Sequence, residues 1–293
     1  MLKMDMPQNF SYNKTISRLK RSGLGASYHV TDTSYYRYQS EPTPHLYQVT
    51  PTTNALEVHL LHGDRRDSDL RQDIEHNLGL NHPYEAILES VLSVPELTPY
   101  LNVFKGLRLG QSSSLYETLI STIIGQQIST EVARKLRERL IQTYGSSFSQ
   151  DGVTVFSFPQ PEKLATANTE TLRSLGFNAK KATYLKNIAQ LALEGELTRE
   201  KFQNLDVQEG DAMLQAIPGI GPWTINIARM ECLADLDRFV PEDLGIAQAL
   251  QKLWSRTERP TLKEIRSWAD HKAYRSYLSL YLWSILGHLK QQA

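Results

Sequence analysis

Apolar residues recur along this chain in two rhythms. In the first third they alternate with polar ones. "HLYQVT" (45–50) and "ALEVHLL" (55–61) put every second side chain on one face, with Leu56, Val58 and Leu60 together, and predict two strands. The intervening "PTTN" is turn chemistry. "SYYRYQ" (34–39) reads as a further strand, and a short helix from about Asn13 to Arg21 precedes it. "DRRDSDLRQD" (64–73) reads as a charged surface segment. Residues 1–85 are expected to form a small α+β unit built on an antiparallel sheet.

From about Pro83 the spacing becomes helical. Ser114-Leu-Tyr-Glu117 has the form of a capping box, followed by one apolar face of Leu115, Leu119, Ile120, Ile123 and Ile124 that ends at Gly125. "GQQIST" makes a turn, and Thr130 is expected to cap a second helix reaching Gly145. "TETLRSLG" predicts a short helix stopped by Gly176. "AKKATYLKNIAQLALEG" predicts a longer one with Ala182, Leu185, Ile188, Ala189 and Ala192 inward. Thr261-Leu-Lys-Glu264 is a second capping box, and "YRSYLSLYLWSILG", apolar almost all round, is expected to be central.

Between two of these helical patterns lies "LQAIPGIGPWTINIARM" (214–230). Asp211–Ile217 reads as one short helix, Pro218-Gly219-Ile220-Gly221 as a tight connection, and Pro222 as the first residue of the next helix. The two glycines allow unusual dihedrals and expose bare backbone, and the following helix start offers free amides. Such a surface suits a phosphodiester, gripped without reading sequence. A tight αα-hairpin serving packing alone has the same Gly and Pro pattern.

Totals narrow the choices. The 293 residues allow two or three packed units, and 32 Lys+Arg balance 32 Asp+Glu, so no strongly basic domain announces a nucleic acid. Cys232 is the only cysteine; no intrachain disulfide and no cysteine-ligated zinc or iron–sulfur cluster can be built. The eight histidines form no convincing metal set. "MLKMDMPQNF" has no apolar signal-type run, and no stretch approaches ~20 uninterrupted apolar residues, so an intracellular soluble protein without a membrane partner is expected.

L-x-x-I-P-G-I-G-P-W-T (214–224), followed some twenty positions on by an acid in "RFVPEDLGIAQAL", resembles the helix-hairpin-helix DNA glycosylase superfamily. "FKGLRLGQSSSLYETLISTIIGQQIS", "LRSLGFNAKKATYLKNIAQLALEGEL" and "YRSYLSLYLWSILG" resemble the opening, middle and end of its catalytic domain. With an N-terminal α+β domain in front, the chain is similar to the bacterial 3-methyladenine DNA glycosylase II (AlkA) branch. The resemblance is strong over 105–290 and weaker over 1–85. It implies an α+β fold: an N-terminal unit over 1–85, then a helical two-lobed core over 86–293. The lobes fall at about 110–235 and at 236–293 joined by 86–110.

The resemblance implies a monofunctional enzyme that flips an alkylated purine (3-methyladenine, 7-methylguanine), with deaminated hypoxanthine as a further substrate, out of duplex DNA and hydrolyses its glycosidic bond. Asp243 matches the catalytic aspartate, which would stabilise an oxocarbenium-like sugar. On the residues alone, Glu242 or Asp243 also reads as a cap for "LGIAQAL". Trp223 and Trp283 match pocket aromatics that attract a cationic base, though core packing explains either. Ser284 and Ile227 stand where the family carries further aromatics. Pro218, Gly219, Ile220 and Gly221 match the DNA-gripping hairpin, and Gln127 the wedge that fills the vacated stack. Arg275 and Lys180 are candidate phosphate contacts, as are Lys181, Arg134 and Arg229. Main-chain carbonyls near Gln215, Ile217 and Ile220 match a family site for a monovalent cation (sodium or potassium); no other cofactor is implied.

Trp223 stands where lyase branches carry a Schiff-base lysine, which argues against a bifunctional oxidised-base glycosylase/lyase. The remaining alternative is a non-catalytic DNA-binding module. A monomer is expected, cytoplasmic beside the nucleoid in a bacterium or nuclear in a eukaryote.

Overall fold

The computed structural model of the chain describes residues 1–22, 28–39, 43–150 and 152–292. The alternating segments form a five-stranded antiparallel sheet in the order β1-β5-β4-β3-β2. Its strands are β1 (Leu2–Asp5), β2 (Tyr28–Val30), β3 (Tyr35–Gln39), β4 (His45–Pro51) and β5 (Ala55–His62). Thr52 N donates to Ala55 O at 2.8 Å to close the β4–β5 turn, and Val49 faces Val58. Leu56 and Val58 are fully buried on the face covered by α1 (Tyr12–Ser22) and α2 (Asp67–Leu78), which supply Ile16, Leu19, Leu70, Ile74 and Leu78. The short strands β1 and β2 carry too few residues for alternation to mark them in the sequence.

The segment 64–73 is not merely charged surface: from Asp67 it is the start of α2. Its charges are used. Asp73 accepts from Arg65 Nε at 2.8 Å and lies 3.3 Å from the buried ring of His45 on β4. The i,i+4 spacing of Asp69 and Asp73 that looked like solvated charge is what lines these acids up along one helical face.

Helices make up most of the rest. They are α3 (Tyr84–Leu92), α4 (Leu101–Phe104), α5 (Leu115–Gly125), α6 (Thr130–Tyr144), α7 (Pro161–Ala165), α8 (Thr169–Ser174), α9 (Ala179–Leu193), α10 (Arg199–Asn204), α11 (Val207–Gln215), α12 (Pro222–Glu231), α13 (Leu244–Leu253), α14 (Leu262–Ala269) and α15 (Arg275–Gln291). Ser129 rather than Thr130 caps α6, accepting from Val132 N; the cap lies one residue earlier because Thr130 already has its place in the first turn. The Thr261 box is reciprocal, and Ser114 Oγ accepts from Glu117 N at 3.2 Å. A hairpin of β6 (Ser147–Gln150) and β7 (Val153–Phe156) interrupts the helices. Phe148 stacks on Tyr38 of β3 at 4.9 Å and covers the second face of the sheet. The expected α+β class holds, with this hairpin as an addition.

Two helical cores lie side by side. One runs from Leu115 to Leu233; the other combines Ile87–Leu109 with Phe239–Leu286 and centres on α15. Only a helix with two apolar faces can belong to both, and α12 is one: Ile225 and Ala228 enter the first core, Ile227 and Met230 the second. The far end of α12 reaches the N-terminal unit. Ser112 N donates to Glu231 O at 2.6 Å, and the Glu231 side chain is buried facing Arg18 of α1 and Arg137 of α6.

Burial pushes the Glu231 carboxyl up from 4.5 to about 7, against the pull of Arg18 and Arg137. For an acid raised in the folded state, stability is full below the unfolded value and falls as pH rises, since the unfolded chain ionises first. Wild-type stability is therefore expected to drop between pH 4.5 and about 7. Glu231→Gln should remove that drop, worth about 3 kcal/mol. Urea unfolding of both proteins at about pH 5 and about pH 8 checks this; an unchanged difference between the two pH values refutes it.

Candidate active site

The hairpin is built by its own sequence. α11 starts at Val207 with Asp206 as its cap, four residues earlier than Asp211, because Gly210 is tolerated where a Cβ would meet the Arg229 guanidinium. Ile220 N donates to Ile217 O at 3.0 Å across Pro218-Gly219, and Gly219 has φ +93°, as a type II turn requires. Its α-carbon lies so close to the Tyr184 ring that a Cβ would approach within 2.4 Å. Ile217 and Ile220 anchor the turn in the first core. Gly221 is different: its backbone is extended, with φ −115°, and a Cβ there would meet nothing within 4 Å. Only the first glycine uses a left-handed conformation; the second leaves the turn uncovered. Pro222 then opens α12, and the Trp223 and Thr224 amides, in its first turn, have no intrahelical acceptor.

Asp243 is reached from this turn through one side chain. Trp223 Nε1 donates to Asp243 Oδ2 at 3.2 Å, and Trp283 Nε1, from α15, donates to Oδ1 at 2.9 Å. Ile246 N also donates to Oδ1, at 3.0 Å, so Asp243 is the N-cap of α13. The cap and the candidate catalytic acid are one residue. Asp243 and both tryptophans are half-buried, and both indoles pack against the second core. Its neighbour Glu242 turns away and pairs with Arg266 at 2.7 Å.

Two contributors were missed in the sequence. Gly245 lets Trp283 close on the carboxylate; a Cβ there would lie 2.9 Å from Asp243 Oδ1 and 3.2 Å from Trp283 Cδ1. Its place two residues after the acid was the available signal. Arg18 reaches from α1 to set its guanidinium 5.3 Å from the centre of the Trp283 ring, a cation–π contact from the N-terminal unit that no spacing announces. Ile227, where the family has an aromatic, is core, and Ser284 Oγ donates to Leu280 O within α15.

The candidate phosphate contacts separate. Lys180 is exposed, 5.9 Å from the Tyr184 ring that backs Gly219, and so stands beside the hairpin. Arg229 does not face outward: it is buried and donates to Asp211 Oδ1 and Val207 O, tying α12 to α11. Lys181 donates to Ile124 O and Gln126 O. Arg134 pairs with Glu138, and Arg275 grips Asp237 through two nitrogens at 3.1 and 2.8 Å. Gln127 is exposed on the turn before α6, with φ +60°, rare for a residue with a side chain.

Among the described residues no group of three or more His, Cys, Asp or Glu could hold a metal. The hairpin carbonyls are neutral oxygens, the donor type of a weakly charged hard cation; Ile217 O keeps one lone pair beyond its bond from Ile220 N. No helix among the described residues is long and apolar enough to cross a membrane.

The geometry pairs a fixed carboxylate with two indoles and an open turn of bare backbone. Residues 120–271 match the family model described as "HhH-GPD superfamily base excision DNA repair protein". The chain belongs to that superfamily. It is 33% identical over 184 residues to the DNA-3-methyladenine glycosylase of Bacillus subtilis, covering 62% of this chain and 61% of the relative. It is 34% identical over 189 residues to DNA-3-methyladenine glycosylase 2 of Escherichia coli, covering 64% of each. The chain thus matches less than two thirds of the length of either relative. The solved structure of a 3-methyladenine DNA glycosylase from Archaeoglobus fulgidus superposes over 97% of both chains with a TM-score of 0.85 at 23% identity, so this HhH-GPD chain shares its fold through the N-terminal unit.

Asp243→Ala removes the cap of α13 and leaves two indole donors without their acceptor; a loss of about 1–2 kcal/mol is expected in urea unfolding. Asp243→Asn keeps an oxygen for Ile246 N and Trp283 and should lose less than half as much. Equal losses for both variants contradict the capping role.

Proposed function

We propose that the chain is a monofunctional DNA glycosylase that extrudes alkylated purines from duplex DNA and hydrolyses their N-glycosidic bond. The observation that carries this reading is the Asp243 carboxylate held by Trp223, two residues beyond the hairpin glycine that faces open space. The names of the two relatives support the same substrate class.

The chemistry follows from the arrangement. The turn Pro218-Gly219-Ile220-Gly221 and the first-turn amides of α12 take a phosphate, helped by Lys180 and, once freed from Asp237, Arg275. The flipped nucleotide brings its sugar to Asp243, whose charge stabilises the oxocarbenium-like transition state as the base departs. Oδ2 carries a single indole donor and so retains an electron pair for the sugar or the attacking water. An alkylated purine is a cation and leaves as a neutral base, so no strong general acid is needed. The face of Trp223, and the face of Trp283 opposite Arg18, add cation–π attraction of about 0.5–2 kcal/mol each. Gln127 fills the vacated stack. A lyase step would need an amine at the sugar; Trp223 occupies the hairpin position, and Lys181 is engaged by two carbonyls. A monovalent cation on the carbonyls of Gln215, Ile217 and Ile220 would brace the turn. In this reading the enzyme acts as a monomer, cytoplasmic in a bacterium or nuclear in a eukaryote.

Duplex carrying one 3-methyladenine or 7-methylguanine should lose that base to the wild type with the strand intact, while Asp243→Asn binds and releases at a rate lower by about a hundredfold or more. Equal release by both proteins refutes the mechanism. No release from a broad lesion panel favours the non-catalytic module, and strand nicking with borohydride trapping favours a lyase. Gly221→Ala separates folding from grip. It should change stability by less than about 1 kcal/mol and yet weaken duplex binding about tenfold in a fluorescence titration, because its methyl enters the space a phosphate would use.

A further inference from the structure

The turn that carries Gln127 is tied to two other parts of the fold, and each tie involves Gln126. From below, Lys181 on α9 donates to Ile124 O, at the C-terminal end of α5, and to Gln126 O, each at 2.8 Å. An ammonium at a helix C-terminus meets carbonyls that have no intrahelical donor and the negative end of the dipole. Lys181 is half-buried, and that burial lowers its pKa. From the side, Gln126 Nε2 donates to Gly219 O of the hairpin at 2.9 Å and to Thr224 Oγ1 of α12 at 3.0 Å. Beyond Gln127, Ile128 packs on the first core and Ser129 caps α6. Gln127 itself is exposed in a left-handed backbone conformation that its neighbours must enforce.

We propose that Lys181 and Gln126 are positioning residues that lock the Gln127 turn to the hairpin, so that the turn and the phosphate-gripping loop meet a duplex as one rigid body. The proposal rests on the glycosylase reading. A side chain that must enter a base stack does so best when its backbone is ordered beforehand, since a loose turn loses that entropy on binding. Lys181 holds the turn through its carbonyls, and Gln126 sets its distance from the phosphate site. The lock matters where a base must be pushed out of a stack, and is idle where the lesion is already unstacked.

The test compares release of one lesion from duplex and from the same strand alone. Lys181→Met should slow release from duplex about tenfold and from single strand by less than about twofold. Lys181→Arg, which can still donate to both carbonyls, should recover part of the loss. Combined with Gln127→Ala, Lys181→Met should add nothing further, because the side chain it positions is gone. Gln126→Ala, which cuts the tie to Gly219 and Thr224, should repeat the pattern and serves if the lysine variant does not fold. Equal slowing on both substrates, or full additivity with Gln127→Ala, overturns the proposal. A second readout needs no catalysis: 2-aminopurine beside a stable abasic analogue should brighten when the wild type binds and stay dim with Lys181→Met. Should the wild type release no base, the glycosylase reading falls, and the fluorescence alone decides the lock: equal brightening by both proteins overturns it.

Discussion

The Asp243 carboxylate accepts from the Trp223 indole on α12, the Trp283 indole on α15 and the Ile246 amide on α13. Through those bonds the helices α12, α13 and α15 share one point. The constraint is geometric as well as electrostatic: three donors from three helices leave the carboxylate one orientation, and Gly245 supplies the clearance that lets the second indole arrive. The hairpin inherits its position from the same bond network, because Trp223 follows its turn directly. A site assembled on helix ends in this way is held by the packing of whole elements rather than by a flexible loop.

α12 concentrates the demands of the fold. Its start carries the open turn and Trp223, its middle divides its apolar residues between both cores, and its end buries Glu231 against the N-terminal unit. The N-terminal unit also touches the site itself, by way of Arg18 over the Trp283 ring. Through Arg18 of α1 the N-terminal unit therefore meets the helical core at two places, the buried Glu231 carboxyl and the half-buried Trp283 ring.

Much of this was legible in the sequence, and the physical reason is periodicity. Strands β3 to β5 and helix α9 repeat their apolar residues at a regular period, α5 and α15 are apolar enough to be buried nearly all round, and such patterns survive without knowledge of partners. The α+β class followed from them. Strands of three or four residues, such as β1, β2, β6 and β7, are too short to carry a pattern. At the site, the hairpin and Asp243 were marked by a resemblance rather than by spacing alone, which left cap and acid as alternatives; the structure shows that capping is no objection to the acid's placement. Charged side chains were the least legible. Arg229 and Lys181 look like surface charge in the sequence, and what each one meets is decided by which helix packs opposite. Arg18 lies more than two hundred and sixty positions from Trp283 in the chain, a pairing that no local pattern encodes.

The uncovered backbone at Gly221 has a consequence for how a polyanion would be held. Peptide dipoles carry no net charge, and the chain as a whole balances 32 basic against 32 acidic residues. A phosphate taken by main-chain amides displaces few condensed counterions from the nucleic acid, so the equilibrium would vary only gently with ionic strength. Grip by bare backbone thus trades long-range attraction for indifference to salt.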